Sequence, residues 1–214
     1  MLANIIGECS EFRDAILRQG LLQPLLALVD EDSPLNFQRI ITWTLVNIVR
    51  SRDRQLPVTD IDQLVRALCK MLSKFDNATQ VDALWGLIYV AECGGDYIDA
   101  VCRSNAIELA LNRVFDTNSW RRLQSTALTL LGNITVGSDA NTQELLDRGL
   151  LLVLTGVLHN FGDITAATRL ALWCQNIKVA RRLLLRLQPE RHVETKAGRK
   201  AASRPALRVC DLSL

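Results

Sequence analysis

Five polar residues, Asn4, Asn47, Tyr89, Asn133 and Asn176, recur at intervals of 42 to 44 residues, each inside an apolar run. The runs read LANIIGE, ITWTLVNIV, DALWGLIYVAE, TALTLLGNITVG and LALWCQNIKV. This period constrains the fold more than any other feature. A chain that repeats at such an interval is an array of small units, none able to bury its apolar face alone, stacked so that neighbours share a core. Between the runs lie segments of a second kind. SEFRDAILRQGLLQPLLALV starts at Ser10, GDYIDAVCRSNAIELALNRV at Gly95 and NTQELLDRGLLLVLTGVL at Asn141. Each has a polar start, an amphipathic turn or two, then Gly20, Asn105 or Gly149, then another apolar run. Gly and Asn enter the left-handed region at low cost, so these three residues are expected to end one helix and begin the next. DIDQLVRALCKMLSKFDN, from Asp60, is a looser copy.

Three helices every 42 to 44 residues lie in the armadillo/HEAT range of about 40–47 residues. The expected fold is all-α: an armadillo-repeat, right-handed α-α superhelix of about four repeats. The third helix of each repeat is expected to line the concave face. The array is read over residues 1–177 and is partial at both ends. Residues 178–214 form a basic, divergent carboxy-terminal tail without the repeat pattern, read as partly disordered.

Charge divides the chain at the same place. Residues 1–177 carry 15 Lys/Arg and 20 Asp/Glu, whereas residues 178–214 carry 10 and 3. An acidic body argues against nucleic acid as a ligand and favours a cationic one. The apolar runs are too short and interrupted to span a bilayer, and no secretory leader pattern opens the chain. Cys9, Cys69, Cys93, Cys102, Cys174 and Cys210 are scattered without a C-x-x-C, and with only His159 and His192 beside them they make no zinc set. Reduced, structural thiols in an intracellular compartment are the simplest account. The ECGGD stretch around Cys93 reads as an inter-helix loop. No phosphate-binding loop, nucleophile elbow or H-E-x-x-H occurs, so neither enzyme nor cofactor is expected.

Two of the repeated polar residues have an aromatic partner four residues away. Trp43/Asn47 is followed by Trp85/Tyr89, with Asn4, Asn133 and Trp173/Asn176 as partial copies. Residues four apart share a helix face. A ladder of rings and amides on one surface suits an extended peptide. The amide both donates to and accepts from a peptide backbone. The rings wall slots for the apolar stems of Lys and Arg, whose heads are drawn to the ring face.

ITWTLVNIV, DALWGLIYVAECG and ALTLLGNITVGSDANTQELLDRGLL, in this order, resemble consecutive armadillo repeats of the importin-α (karyopherin-α) family, the adaptors for cargo bearing nuclear localisation signals. The resemblance runs from Met1 to about Asn160. It implies that Asn4, Glu8, Trp43 and Asn47 belong to a major groove for basic peptides, with Glu8 placed to hold a lysine. Trp85, Tyr89 and Glu92 match a linker repeat. Asn133 and Asp139 match the start of a minor groove, with Trp173 and Asn176 near its next member. The implied partners are basic localisation-signal peptides of cargo proteins, and the implied location is cytoplasm and nucleus.

The departures are specific. Met1 falls just after the Trp expected to pair with Asn4. The family's basic amino-terminal arm has no counterpart, so importin-β is not expected as a partner through this chain, and a truncated form or paralogue is implied. Thr129 stands where the family usually has Arg. Trp173 and Asn176 are three apart rather than four. The alternatives are a non-import armadillo scaffold and a competitor that traps cargo without importin-β. The KAGRKAASR stretch (Lys196 to Arg204) could be a localisation signal, a segment that docks on the acidic groove, or a disordered segment.

Overall fold

The computed structural model describes residues 2–29, 33–50, 56–74, 76–116 and 120–154; His159, Trp173, Asn176 and the basic tail lie outside them. Among the described residues, ten fully delimited helices follow one another: α1 (Leu2–Glu8), α2 (Ser10–Arg18), α3 (Leu22–Ala27), α4 (Leu35–Arg50), α5 (Val58–Lys74), α6 (Asn77–Glu92), α7 (Gly95–Arg103), α8 (Ala106–Phe115), α9 (Arg121–Thr135) and α10 (Asp139–Asp147). No strand occurs among the described residues. The chain is an all-α armadillo solenoid.

The repeating apolar runs become α1, α4, α6 and α9, which pack in a row, α1 on α4, α4 on α6 and α6 on α9. The intervening segments supply α2, α3, α5, α7, α8 and α10 as a second layer. Between the layers lies one continuous core that includes Leu45, Ile48, Leu64, Leu68, Leu84, Leu87, Ile88 and Ile107, all fully buried. Each such side chain contributes on the order of 1.5–3 kcal/mol by leaving water.

α6 sits at the centre. It packs against α4, α5 and α9 and buries residues all round its surface. A helix apolar on most sides is an interior one, so beyond its exposed first residues, Asn77 and Ala78, its outward stripe is Asp82, Trp85, Tyr89 and Glu92. Gly86 permits the fit: a Cβ there would stand 2.9 Å from both methyls of Leu68. The Asp76 carboxylate caps α6, accepting from the Ala78 amide at 3.2 Å and the Thr79 hydroxyl at 2.6 Å.

The chain breaks at all three expected places, and two of the three breaks take a left-handed backbone. Gly20 (φ 80°) and Gly149 (φ 97°) are left-handed. Asn105 is not: it has φ −86° and forms the cap before α8, with Ser104 Oγ accepting the Ala106 amide at 3.1 Å. At ECGGD the left-handed residues are Gly94 and Gly95. The looser copy from Asp60 lacks a break and forms the single helix α5.

Polar side chains tie each unit to the next at nearly the repeat spacing. Lys70 Nζ donates to the Val29 carbonyl at 2.8 Å, and Arg113 Nη2 to the Leu72 carbonyl at 3.1 Å. Arg103 pairs with Asp62 at 2.9 Å, and Asn141 Nδ2 donates to Asp99 at 2.7 Å. The first two satisfy carbonyls left open at helix ends, and all four fix the stacking register.

Candidate functional site

The outward stripes of the row assemble the sequence-derived residues. On α1 they are Asn4 and Glu8, both exposed. On α4 the stripe runs through Ile40, Trp43, Asn47 and Arg50, at helical spacing. Trp43 is 46 % exposed and Ile40 57 %. On α6, Trp85 is 36 % exposed and its ring centroid lies 6.0 Å from that of Tyr89, tilted by 35°. Glu92 is exposed one turn further on. On α9 the stripe is Arg122, Ser125, Thr129 and Asn133. Thr129 Oγ1 is turned to the Ser125 carbonyl at 3.0 Å. Asp139 is exposed in the first turn of α10, which begins with a capping box between Ser138 and Asn141.

Two of the amides differ from an open ladder. Asn47 is only 4 % exposed, and its Nδ2 donates to the Ala3 carbonyl of α1 at 2.9 Å. It still has a second N–H and an acceptor oxygen. Asn133 Nδ2 is buried without a hydrogen-bond partner, an arrangement that costs free energy unless something supplies an acceptor.

Four residues of the face escape a reading based on repeated Trp and Asn. Ile40 adds an apolar wall beside Trp43. Arg50 is exposed at the end of α4. Asp82 stands one turn before Trp85. Burial pushes its carboxyl above the ordinary carboxylate range, Arg122 opposes that shift, and Asp76 adds to it. A D-x-x-W spacing was the available signal for Asp82. Finally, Trp120, 45 % exposed at the start of α9, lies under the Arg122 guanidinium, with Cζ 5.9 Å from the ring centroid.

The buried thiols Cys69 and Cys102 do not belong to this face. Cys69 is buried and pushed up to about 11 by desolvation, against a weaker lowering by its contact with Ser104. Burial likewise raises Cys102. Both are poor nucleophiles at neutral pH. No cluster of three or more His, Cys, Asp or Glu able to hold a metal occurs among the described residues, and no described helix is long and apolar enough to cross a membrane.

Comparisons agree with this architecture. The armadillo/β-catenin-like repeat model matches residues 9–50. Importin subunit alpha-1b of Oryza sativa subsp. japonica is 30 % identical over 159 residues, 74 % of this chain and 29 % of that protein. Importin subunit alpha-3 of Arabidopsis thaliana is 30 % identical over 151 residues, 69 % of this chain and 27 % of that protein. The chain thus spans less than a third of the length of these relatives. Among solved structures, a designed armadillo repeat protein in complex with the peptide (KR)4 superposes with a TM-score of 0.67 at 20 % identity, covering 90 % of this chain and 84 % of that one. Repeat period, helix order, shared core and relatives converge: the chain is an importin-α-like armadillo-repeat protein.

Proposed function

We propose that the outward face of α1, α4, α6 and α9 binds an extended basic peptide of the nuclear-localisation type, as an adaptor in protein import into the nucleus, moving between cytoplasm and nucleus. The observation that carries this reading is the exposure of Trp43 and Trp85 on successive helices of one row, with carboxylates on the same row. Large aromatics left in water on consecutive repeats mark an interaction surface. Trp43 and Trp85 wall slots for Lys or Arg stems. Glu8 and Glu92 hold the charged heads. Asn4 pins the peptide backbone, joined by the remaining donor and acceptor of Asn47. Asn133, whose buried N–H lacks an acceptor, and Asp139 continue the track on α9 and α10. The similar importin-α subunits support the import role, and the designed protein shows this fold carrying an alternating Lys/Arg peptide.

The test is fluorescence anisotropy with a labelled (KR)4 peptide at low and high salt, using wild type and the double variant Trp43→Ala/Trp85→Ala. The Trp pair is preferable to Asn47 as a target because Asn47 also ties two helices. Binding is expected to fall with salt and to weaken by roughly tenfold in the variant, the loss of two cation–π walls. Binding that ignores both changes would favour a scaffold for a non-basic segment. No binding by a helical, folded chain would end the import reading.

A further inference from the structure

The face changes charge between two neighbouring helices. The α6 stripe carries two carboxylates and two rings: Asp82, Trp85, Tyr89 and Glu92. The α9 stripe begins with a cation. Arg122 shares a face with Ser125 and Thr129 at spacings of three and seven, and both Arg122 and Arg121 are exposed. The first turn of α9 contains no acidic residue. The Arg122 guanidinium lies over the Trp120 ring, Cζ 5.9 Å from its centroid, and its charge acts on Asp82 of α6. A guanidinium held near an indole can still present N–H groups to a carboxylate in a bidentate geometry. The same cation repels a Lys or Arg brought to that point, so it discriminates in both directions.

Resting on the basic-peptide reading above, we infer that Arg122, held by Trp120, selects ligands whose charge reverses: basic residues over α4 and α6, and an acidic side chain where the peptide crosses to α9. Packed helices stand about 8–10 Å apart and an extended chain advances about 3.3 Å per residue. Arg122 also lies seven residues, about 10 Å of helix axis, before Thr129, the position on α9 equivalent to Trp85, so the path is about 13–15 Å and the acidic residue falls about four positions beyond the basic residue seated at Trp85.

The probe is a labelled peptide with a KRKR core and one variable residue, Glu, Ala or Lys, four positions beyond the core at either end. Affinities are measured on wild type, Arg122→Gln and Arg122→Glu. At one end of the peptide, Glu is expected to bind wild type more tightly than Ala by roughly two- to fivefold, the range of an exposed ion pair, and Lys more weakly than Ala. The order vanishes in Arg122→Gln and inverts in Arg122→Glu. Indifference of wild type to the variable residue at both ends overturns the inference, and so does a Glu preference that survives in Arg122→Glu. In either case, Trp43- and Trp85-dependent binding of the Ala peptide leaves the basic-peptide reading standing. Failure of the Ala peptide to bind at all removes both.

Discussion

α4 and α6 occupy the same place in successive repeats and carry the same motif, an aromatic ring and a polar residue four positions on, yet the second residue of the motif does different work. Asn47 turns inward to the Ala3 carbonyl of α1, whereas Tyr89 stays at the surface against Trp85. The cause lies on the preceding helix. Ala3 and Gly7 form a small-residue groove on α1, and Gly7 lies so close to Asn47 that a Cβ would stand 3.2 Å from its Cγ and Nδ2. One period later the corresponding positions on α4 hold Val46 and Arg50. Those side chains leave no groove, so the residue at position 89 remains outside. The identity of a surface ladder is therefore set by the helix before it.

The strongest way to break this comparison is Asn47→Asp. At pH 7 it places a carboxylate, mostly buried, against a carbonyl oxygen and removes the donor. The expected loss is on the order of 3 kcal/mol in urea unfolding. Burial and the carbonyl raise the folded-state pKa of the introduced acid. The penalty is therefore absent below the unfolded value of about 3.9, grows as pH rises through the window up to the folded value, and is complete above it. A loss below about 1 kcal/mol at pH 7 would show that the Asn47 tie is dispensable.

Gly7→Val addresses the other side of the same contact. Filling the groove is expected to cost about 1–3 kcal/mol by overpacking. In an Asn47→Ala background it should cost much less, because the shortened side chain vacates the space. A double-mutant cycle measures this coupling, and strict additivity would contradict the groove.

Asp76→Ala tests what α4 and α6 share. The carboxylate caps α6 and pairs with Arg39 of α4 at 2.9 Å. Loss of the cap is expected to cost about 1 kcal/mol. The Arg39 hydrogen bond, ahead of the Thr79 and Ala78 bonds, holds the Asp76 carboxyl below its usual range. Its contribution is present above the unfolded carboxylate pKa and fades as pH falls toward the lower folded value. The variant should thus show a shallower loss of stability in acid, and an unchanged acid slope would remove Asp76 from the account.

Much of this was legible in sequence, and the limits have physical causes. The period located all four helices of the row because repeated burial imposes repeated pattern. Gly20 and Gly149 announced their turns because only glycine takes a positive φ cheaply. Asn105 marks its break too, but without the left-handed backbone, because Asn serves helix caps as well as left-handed turns. Exposure of Trp43 and Trp85 followed from periodicity, but the inward turn of Asn47 did not, since it depends on Ala3 and Gly7, forty or more residues away. Arg122 was invisible for a similar reason: its role comes from Trp120 beside it and from the acidic stripe of the neighbouring helix, not from a motif of its own.

The smallest effect is the sharpest discriminator between the two helices. Tyr89→Phe keeps the ring, and with it the contact to Trp85, while deleting the hydroxyl. If position 89 is a surface position, as its partial exposure and ring contact indicate, stability should change by less than about 0.5 kcal/mol, the usual range for surface substitutions. A shift above 1 kcal/mol would mean that the phenol is a structural tie like Asn47, and the contrast between α4 and α6 would collapse. The same variant carries a second readout. A phenol that donates to a bound peptide loses a neutral hydrogen bond on deletion, about 0.5–1.5 kcal/mol, so (KR)4 affinity should fall by roughly two- to tenfold while urea stability holds. Loss of affinity without loss of stability is the behaviour of a ladder residue that faces the ligand, and it is what Asn47, tied to α1, cannot show.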